Sequence, residues 1–228
     1  MLNDLLAVWF PRCCWGCKKP LAKTQKWLCV SCSTQLPKTY FEHNENNPLK
    51  ALLRQYIPLE SAYAPFYFMQ NSPIQALLHA LKYQGKKEVA DWLAAQSAAY
   101  LPKDHATLQC DGIVPVPLHP KRERKRGYNQ VAGFGQFWAN QLGVPYLDDV
   151  LLRKNQTKTL VRMTREARWK EVKDAFLVQT KKEYKHLLLV DDVITTGATL
   201  TACGNALLQE ATKKISVMGM AYAQNILP

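Results

Sequence analysis

Long hydrophobic runs are missing from this chain of 228 residues. None approaches the ~20 apolar residues that cross a bilayer, which excludes a transmembrane helix and any membrane insertion through one. Met1 to Pro11 lack the basic stretch and small-residue cleavage site of a signal peptide, which points to the cytoplasm. Leu2, Leu5, Leu6, Trp9 and Phe10 instead follow i, i+3, i+4 spacing and predict a short helix packed on its own domain. Internal repeats and low-complexity tracts are also absent. Apolar residues make up 47% of the chain, enough for a packed core and too many for global disorder. Acid is scarce: 18 Asp and Glu stand against 30 Lys and Arg, for a formal charge of +12. Sixteen of those cations lie between Lys121 and Lys185, against seven acidic residues. A field of that sign attracts nucleic acid, phosphorylated metabolites or both.

Cysteine, by contrast, is concentrated. Five of the seven fall within twenty residues, and Cys14-Trp-Gly-Cys17 with Cys29-Val-Ser-Cys32 form two C-x2-C pairs. Two-residue spacers let both thiolates of a pair point at one ion, and two pairs complete a tetrahedron. Gly16 is expected to ease the tight turn. A reducing compartment argues against disulfides, and no βαβ pattern surrounds the segment to make it a redox motif. About forty residues are too few for a self-sufficient core, whereas structural Zn²⁺ contributes on the order of 10–16 kcal/mol. Four ligands leave no open coordination position, so the metal is structural. Cys13 is an alternative to Cys14 as first ligand. Cys110 and Cys203 read as isolated core thiols.

Residues 1–38 are therefore expected to be a zinc-binding knuckle domain, 39–60 an irregular linker, and 61–228 the main domain. In the last, Ser61–Met69 suits a strand. Ile74, Leu77, Leu78 and Leu81 repeat at helical spacing after Pro73, and Val89, Trp92, Leu93 and Ala99 suggest another helix. Gly112-Ile-Val-Pro-Val is a short strand whose pairing Pro115 and Pro117 end. Tyr128–Leu142 reads as a helix, and residues 150–178 as a long mobile excursion. Leu187–Val190 is an apolar strand, Ala198–Gln209 a helix and Ile215–Ala223 a last strand. Apolar strands alternating with helices predict an α/β fold, a mainly parallel sheet covered on both faces.

The most informative stretch is Leu187-Leu-Leu-Val-Asp-Asp-Val-Ile-Thr-Thr-Gly-Ala-Thr-Leu200. Side chains alternate along a strand, so adjacent Asp191 and Asp192 are expected to reach one ligand only where the strand ends and turns. Ligands in open α/β sheets bind beyond the carboxyl ends of the strands. Thr195, Thr196, Gly197, Ala198 and Thr199 then open a helix, whose free N–H groups and dipole accept an anion. Paired carboxylates beside a phosphate seat suit a sugar phosphate, with Mg²⁺ relieving charge on the ligand. The plain alternative, an Asp-rich loop with an ordinary helix start, leaves two acids without partners. Like charges ~4 Å apart repel by about 4 kcal/mol at an effective dielectric near 20.

This stretch resembles the phosphoribosyl pyrophosphate (PRPP) signature of type I phosphoribosyltransferases. The resemblance implies that Asp191 and Asp192 hold ribose hydroxyls and that Thr195–Thr199 cradle the 5′-phosphate. Ile113-Val-Pro-Val-Pro-Leu-His-Pro, Arg126-Gly-Tyr-Asn-Gln, Ala175-Phe and the PRPP motif, in that order after zinc knuckles, are similar to the ComF/GntX family of competence-associated proteins. By that likeness the Pro115–Pro120 turn, with Pro117, Leu118 and His119, lies near pyrophosphate together with Arg126. Residues 153–175 would close over PRPP, with Leu160 and Glu171 standing where a Gln and an Asn are expected. The family further implies natural competence, single-stranded DNA, and a competence helicase or other competence proteins as partners. A nucleotide-salvage transferase is the alternative, although residues 40–90 show no base-reading constellation, and no acceptor nucleophile is legible. Lys121-Arg-Glu-Arg-Lys-Arg126 admits three readings: contacts to PRPP phosphates, part of a DNA track with Trp138 or Trp169 as stacking partners, or a solvated turn.

Overall fold

A computed structural model of the chain describes residues 11–154 and 175–224. The expected helix over the first ten residues, Trp169, and most of the expected loop at 153–175 lie outside the described residues.

The core is a parallel sheet. Its strands are β1 (Ser61–Tyr63), β2 (Phe66–Tyr67), β3 (Gly112–Pro115), β6 (Tyr184–Ile194) and β7 (Thr212–Tyr222). They run in the order β1-β7-β6-β3, with β2 also paired to β7, and every pairing is parallel. Leu187, Leu188, Leu189 and Val190 are fully buried, as a strand covered on both faces requires. A separate antiparallel pair, β4 (Leu151–Arg153) and β5 (Phe176–Val178), frames the segment expected to be one long excursion.

Seven helices of the described residues matter here: α1 (Val30–Thr34), α2 (Pro48–Arg54), α3 (Pro73–Tyr83), α4 (Glu88–Ala98), α5 (Pro120–Arg126), α6 (Ala132–Leu142) and α7 (Ala198–Glu210). The sheet's two faces are told apart by glycines. Gly135 of α6 lies so close to Val190 and Tyr146 that a Cβ there would sit 2.6 Å from the tyrosine ring. Gly204 of α7 abuts Ile57 and Ile215 instead. Val190 and Ile215 point to opposite faces, so α6 covers one side and α7 the other.

Three expectations need correction. Residues 39–60 are not an irregular linker: they carry a short 3₁₀ turn and α2, whose Leu49 and Leu53 are fully buried. The polar run Glu-His-Asn-Glu-Asn-Asn hid this helix because it supplies the cap rather than the face. The helix expected from Tyr128 starts at Ala132. Asn129 explains the delay, since its Oδ1 accepts the Val131 N–H and its Nδ2 donates to Val116 O at 3.0 Å. Gly16 lacks the left-handed backbone, which Lys18 adopts instead (φ 64°). Glycine is needed at 16 for space, because a Cβ would lie 2.8 Å from Cys32 Sγ.

Asn47 ties α2 to the sheet. Its Oδ1 accepts the Lys50 N–H at 2.9 Å, and its Nδ2 donates to Ala62 O at 2.9 Å. Asn47→Ala removes the cap and a buried hydrogen bond to the Ala62 carbonyl of β1, so chemical denaturation should show a loss of about 2–3 kcal/mol. A change below about 0.5 kcal/mol would contradict this role.

Candidate functional site

Strand β6 outlasts its neighbour. Pairing with β3 stops at Pro115↔Val190, whereas pairing with β7 continues to Ile194↔Tyr222. From Asp191 onward the strand therefore has one bare edge. The acids do not stand at a turn, as the sequence suggested, but within the strand on opposite faces. They still meet one cavity, of about 210 Å³, which reaches around that edge. Proline at 115 and 117 creates the opening by ending β3.

Each acid has its own surroundings. Asp192 is 7% exposed and receives the Lys82 ammonium at 2.9 Å and the Gln130 Nε2 at 2.6 Å, both on Oδ2. Its Oδ1 accepts the Val193 N–H at 2.5 Å. Gln130 in turn accepts from Arg126, whose guanidinium lies 5.7 Å from the Tyr83 ring centroid. Asp191 faces the α7 side, where Arg153 and Cys203 feel its charge. Burial first, and the Asp192 charge second, push its carboxyl up to about 7; the Asp192 N–H, Lys82 and Arg153 act in the other direction.

At the end of β6 the chain passes through exposed Thr195 and Thr196 to Gly197, which is buried with φ 72°. A side chain there is doubly excluded, since a Cβ would meet Leu53 Cδ2 at 2.4 Å. No side chain caps α7 across this glycine. The Ala198 N–H is 3.5 Å from Thr196 Oγ1, and Thr199 lines the cavity. The first turn thus presents N–H donors to an anion at the edge of an acid-lined space.

Among the pyrophosphate-turn residues, Pro117, Leu118 and Arg126 line the cavity and His119 does not. His119 caps α5, its Nδ1 accepting the Lys121 N–H at 3.2 Å; burial and then Arg153, Lys121 and Arg122 lower its pKa. Trp138 is 3% exposed and cannot stack on DNA. Sequence reasoning missed Lys82 and Tyr83, which line the cavity beside Arg122 of the basic run, Gln130 of the Arg126–Gln130 motif and Arg153 at the start of the expected loop. Lys82 lies at the end of α3 outside the apolar repeat, so no local pattern marks it.

The Sγ atoms of Cys14, Cys17, Cys29 and Cys32 all lie within 4.8 Å of one another, and Cys17 and Cys29 are 3.7 Å apart. Tetrahedral bonds near ~2.3 Å imply an S···S edge of roughly 3.8 Å, so the four thiols fit a structural zinc. Cys13 is outside the cluster, its Sγ near Pro11 O, and Cys14 is the thiol that the fold brings together with Cys17, Cys29 and Cys32. Burial opposes ionisation of Cys14, yet N–H groups of Cys29, Cys17 and Gly16 hold its thiol down to about 6. Trp27, Leu28 and Leu36 join the main core, so the knuckle is packed onto the sheet domain.

A helix-flanked parallel sheet carrying Asp-Asp near the end of a buried strand, behind a four-cysteine cluster able to hold a metal ion, is the α/β architecture that the phosphoribosyltransferase resemblance implies. No protein-family model matches the chain. Competence protein F of Haemophilus influenzae is 30% identical over 222 residues, covering 92% of this chain and 90% of the relative. The DNA utilization protein YhgH of Escherichia coli K12 is 28% identical over 229 residues, 91% and 95% of the two chains. The chain belongs to the ComF/GntX family. An orotate phosphoribosyltransferase from Aeropyrum pernix shares 14% identity over 68% of this chain and 66% of that one, with a TM-score of 0.32. Among the described residues no helix is long and apolar enough to cross a membrane.

Two outcomes follow. Cys14→Ser should lose metal in a colorimetric zinc assay and unfold at lower temperature, while Cys13→Ser keeps wild-type metal content; equal losses would contradict the assignment. Because the folded-state pKa of Asp191 lies above the carboxylate's ordinary value, the unfolded chain sheds that proton first. The stability contributed by Asp191 is thus present below about pH 4 and lost as pH rises towards about 7. Between about pH 5 and 7.5, ligand-free wild type should lose stability relative to Asp191→Asn. A constant gap in paired denaturation curves would rule out burial as the cause.

Proposed function

We propose that this protein binds PRPP with Mg²⁺ in the cavity at the bare edge of β6 and acts in the handling of DNA taken up by the cell. The observation that carries the first part is the delivery of Asp191 and Asp192 from opposite faces of one strand into a single cationic cavity beside an uncapped helix N-terminus. Asp191 and Asp192 accept the ribose 2- and 3-hydroxyls. Thr195 to Thr199, through the first N–H groups of α7, hold the 5′-phosphate. Pro117, Leu118 and Arg126 border the pyrophosphate, with Arg122 and Arg153 supplying charge-assisted hydrogen bonds. Mg²⁺ bound to the pyrophosphate lowers its charge. The knuckle of residues 1–38 holds Zn²⁺ as a structural ion, and residues 61–228 form the PRPP-binding domain. A role with incoming DNA draws support from the names of the relatives, a competence protein and a DNA utilization protein. The net charge of +12 suits that partner.

Isothermal titration of PRPP and Mg²⁺ into zinc-loaded protein tests the reading. Wild type should bind saturably, and Asp191→Asn/Asp192→Asn should weaken binding at least about 100-fold, the loss of two charged hydrogen-bond acceptors. No binding by folded wild type would remove PRPP from the account.

A further inference from the structure

A second cavity, of about 390 Å³, adjoins the first and shares Lys82, Tyr83, Arg122 and Arg126 with it. Its remaining wall includes Lys125 and Tyr128, which do not line the first cavity. Its size is that of a small-molecule site, roughly 300–1,000 Å³. Four cations and two phenol rings surround it, and no carboxylate among the described residues lines it. Arg122, Lys125 and Arg126 fall at i, i+3 and i+4 of α5 and so share one face. Glu123 of the same helix lines a different cavity, together with Asp148. Among the described residues, no carboxylate forms an ion pair with Arg122 or Lys125.

The aromatic component is equally specific. Tyr83 is 68% exposed at the junction of the two cavities, although it ends a helix that buries Ile74, Leu77, Leu78 and Leu81. Tyr128 is fixed by its hydroxyl, which donates to Leu81 O, and the Lys87 ammonium lies 4.7 Å from its ring centroid. Gly85 (φ +68°) has no neighbour within 4 Å of where a Cβ would be, which keeps the rim open.

We infer that the second cavity is a subsite for an anionic aromatic ligand of nucleotide size, its phosphate on Arg122 and Lys125 and its ring against Tyr83. The inference rests on the proposed reading in one respect, that PRPP fills the adjoining cavity. Free mononucleotide and the 5′ end of a nucleic-acid strand offer the same chemistry. The volume of about 390 Å³, that of one small-molecule site, favours the former, since strand-binding grooves follow ~4–16 nucleotides.

Calorimetric titration of the full-length, zinc-loaded protein at saturating PRPP and Mg²⁺ separates these cases, with AMP, adenosine, pyrophosphate and 5′-phosphorylated hexadeoxyadenylate as probes. AMP should bind saturably, adenosine at least about tenfold more weakly, and Tyr83→Ala should weaken AMP about tenfold, within the range of one base stack. Lys125→Ser should weaken AMP and leave PRPP affinity unchanged. Absence of AMP binding, or pyrophosphate binding as tightly as AMP, overturns the subsite. So does binding of the hexanucleotide without binding of AMP, which makes the surface a strand track. If PRPP fails to bind while AMP still binds in a Lys125-dependent manner, the PRPP reading falls and the subsite stands.

Discussion

Two carboxylates on consecutive residues of a buried strand repel each other and lose solvation, and the rest of the site is arranged around that cost. Alternation along β6 separates them to opposite faces. Lys82 and Gln130 then hold Asp192 at 2.9 and 2.6 Å. Asp191 receives weaker compensation from more distant cations, and its raised pKa records the remainder. A ligand that offers hydroxyl donors to Asp191 and anions to the surrounding Arg and Lys relieves both imbalances at once. The ligand-free site is therefore under electrostatic strain that a sugar phosphate is suited to remove.

Holding this arrangement takes elements that are distant in sequence. α3 brings Lys82, the turn after β3 brings Pro117 and Leu118, α5 brings Arg122 and Arg126, and β4 brings Arg153. Leu53 of α2 packs so closely on Gly197 that the start of α7 cannot shift towards it. The cysteine knuckle adds to the same body. Gly16 lies against both Cys32 Sγ and Pro73 Cγ, the first residue of α3, so the four-cysteine unit abuts the helix that carries Lys82. That contact gives the knuckle a mechanical connection to the site, besides its part in the core through Trp27 and Leu28.

Local signals were legible because local physics sets them. The four cysteines, the run of Leu187–Val190 and the Asp-Asp-x-x-Thr-Thr-Gly segment each follow from spacing within a few residues. The helix after Pro73 was legible for the same reason. What escaped is non-local. Asp191 and Asp192 share a cavity because β3 ends four residues before its neighbour does, and the end of one strand says nothing about the length of another. Lys82 and Gln130 reach Asp192 across more than sixty residues of chain, from positions with no periodic mark. α2 is not legible because a polar run precedes a helix of only seven residues. The burial of Trp138 is equally illegible, because residue type alone does not distinguish the inner face of α6 from its outer one.

The central claim is that the bare edge of β6 and the N-terminus of α7 together form one anion-and-sugar site. Heteronuclear NMR of the zinc-loaded protein, titrated with PRPP and Mg²⁺, observes that region directly. The account predicts the largest amide shifts at Asp191–Val193 and Gly197–Leu200, with smaller ones along α5. Shifts confined to Lys121–Tyr128, with Gly197–Leu200 unmoved, would contradict it.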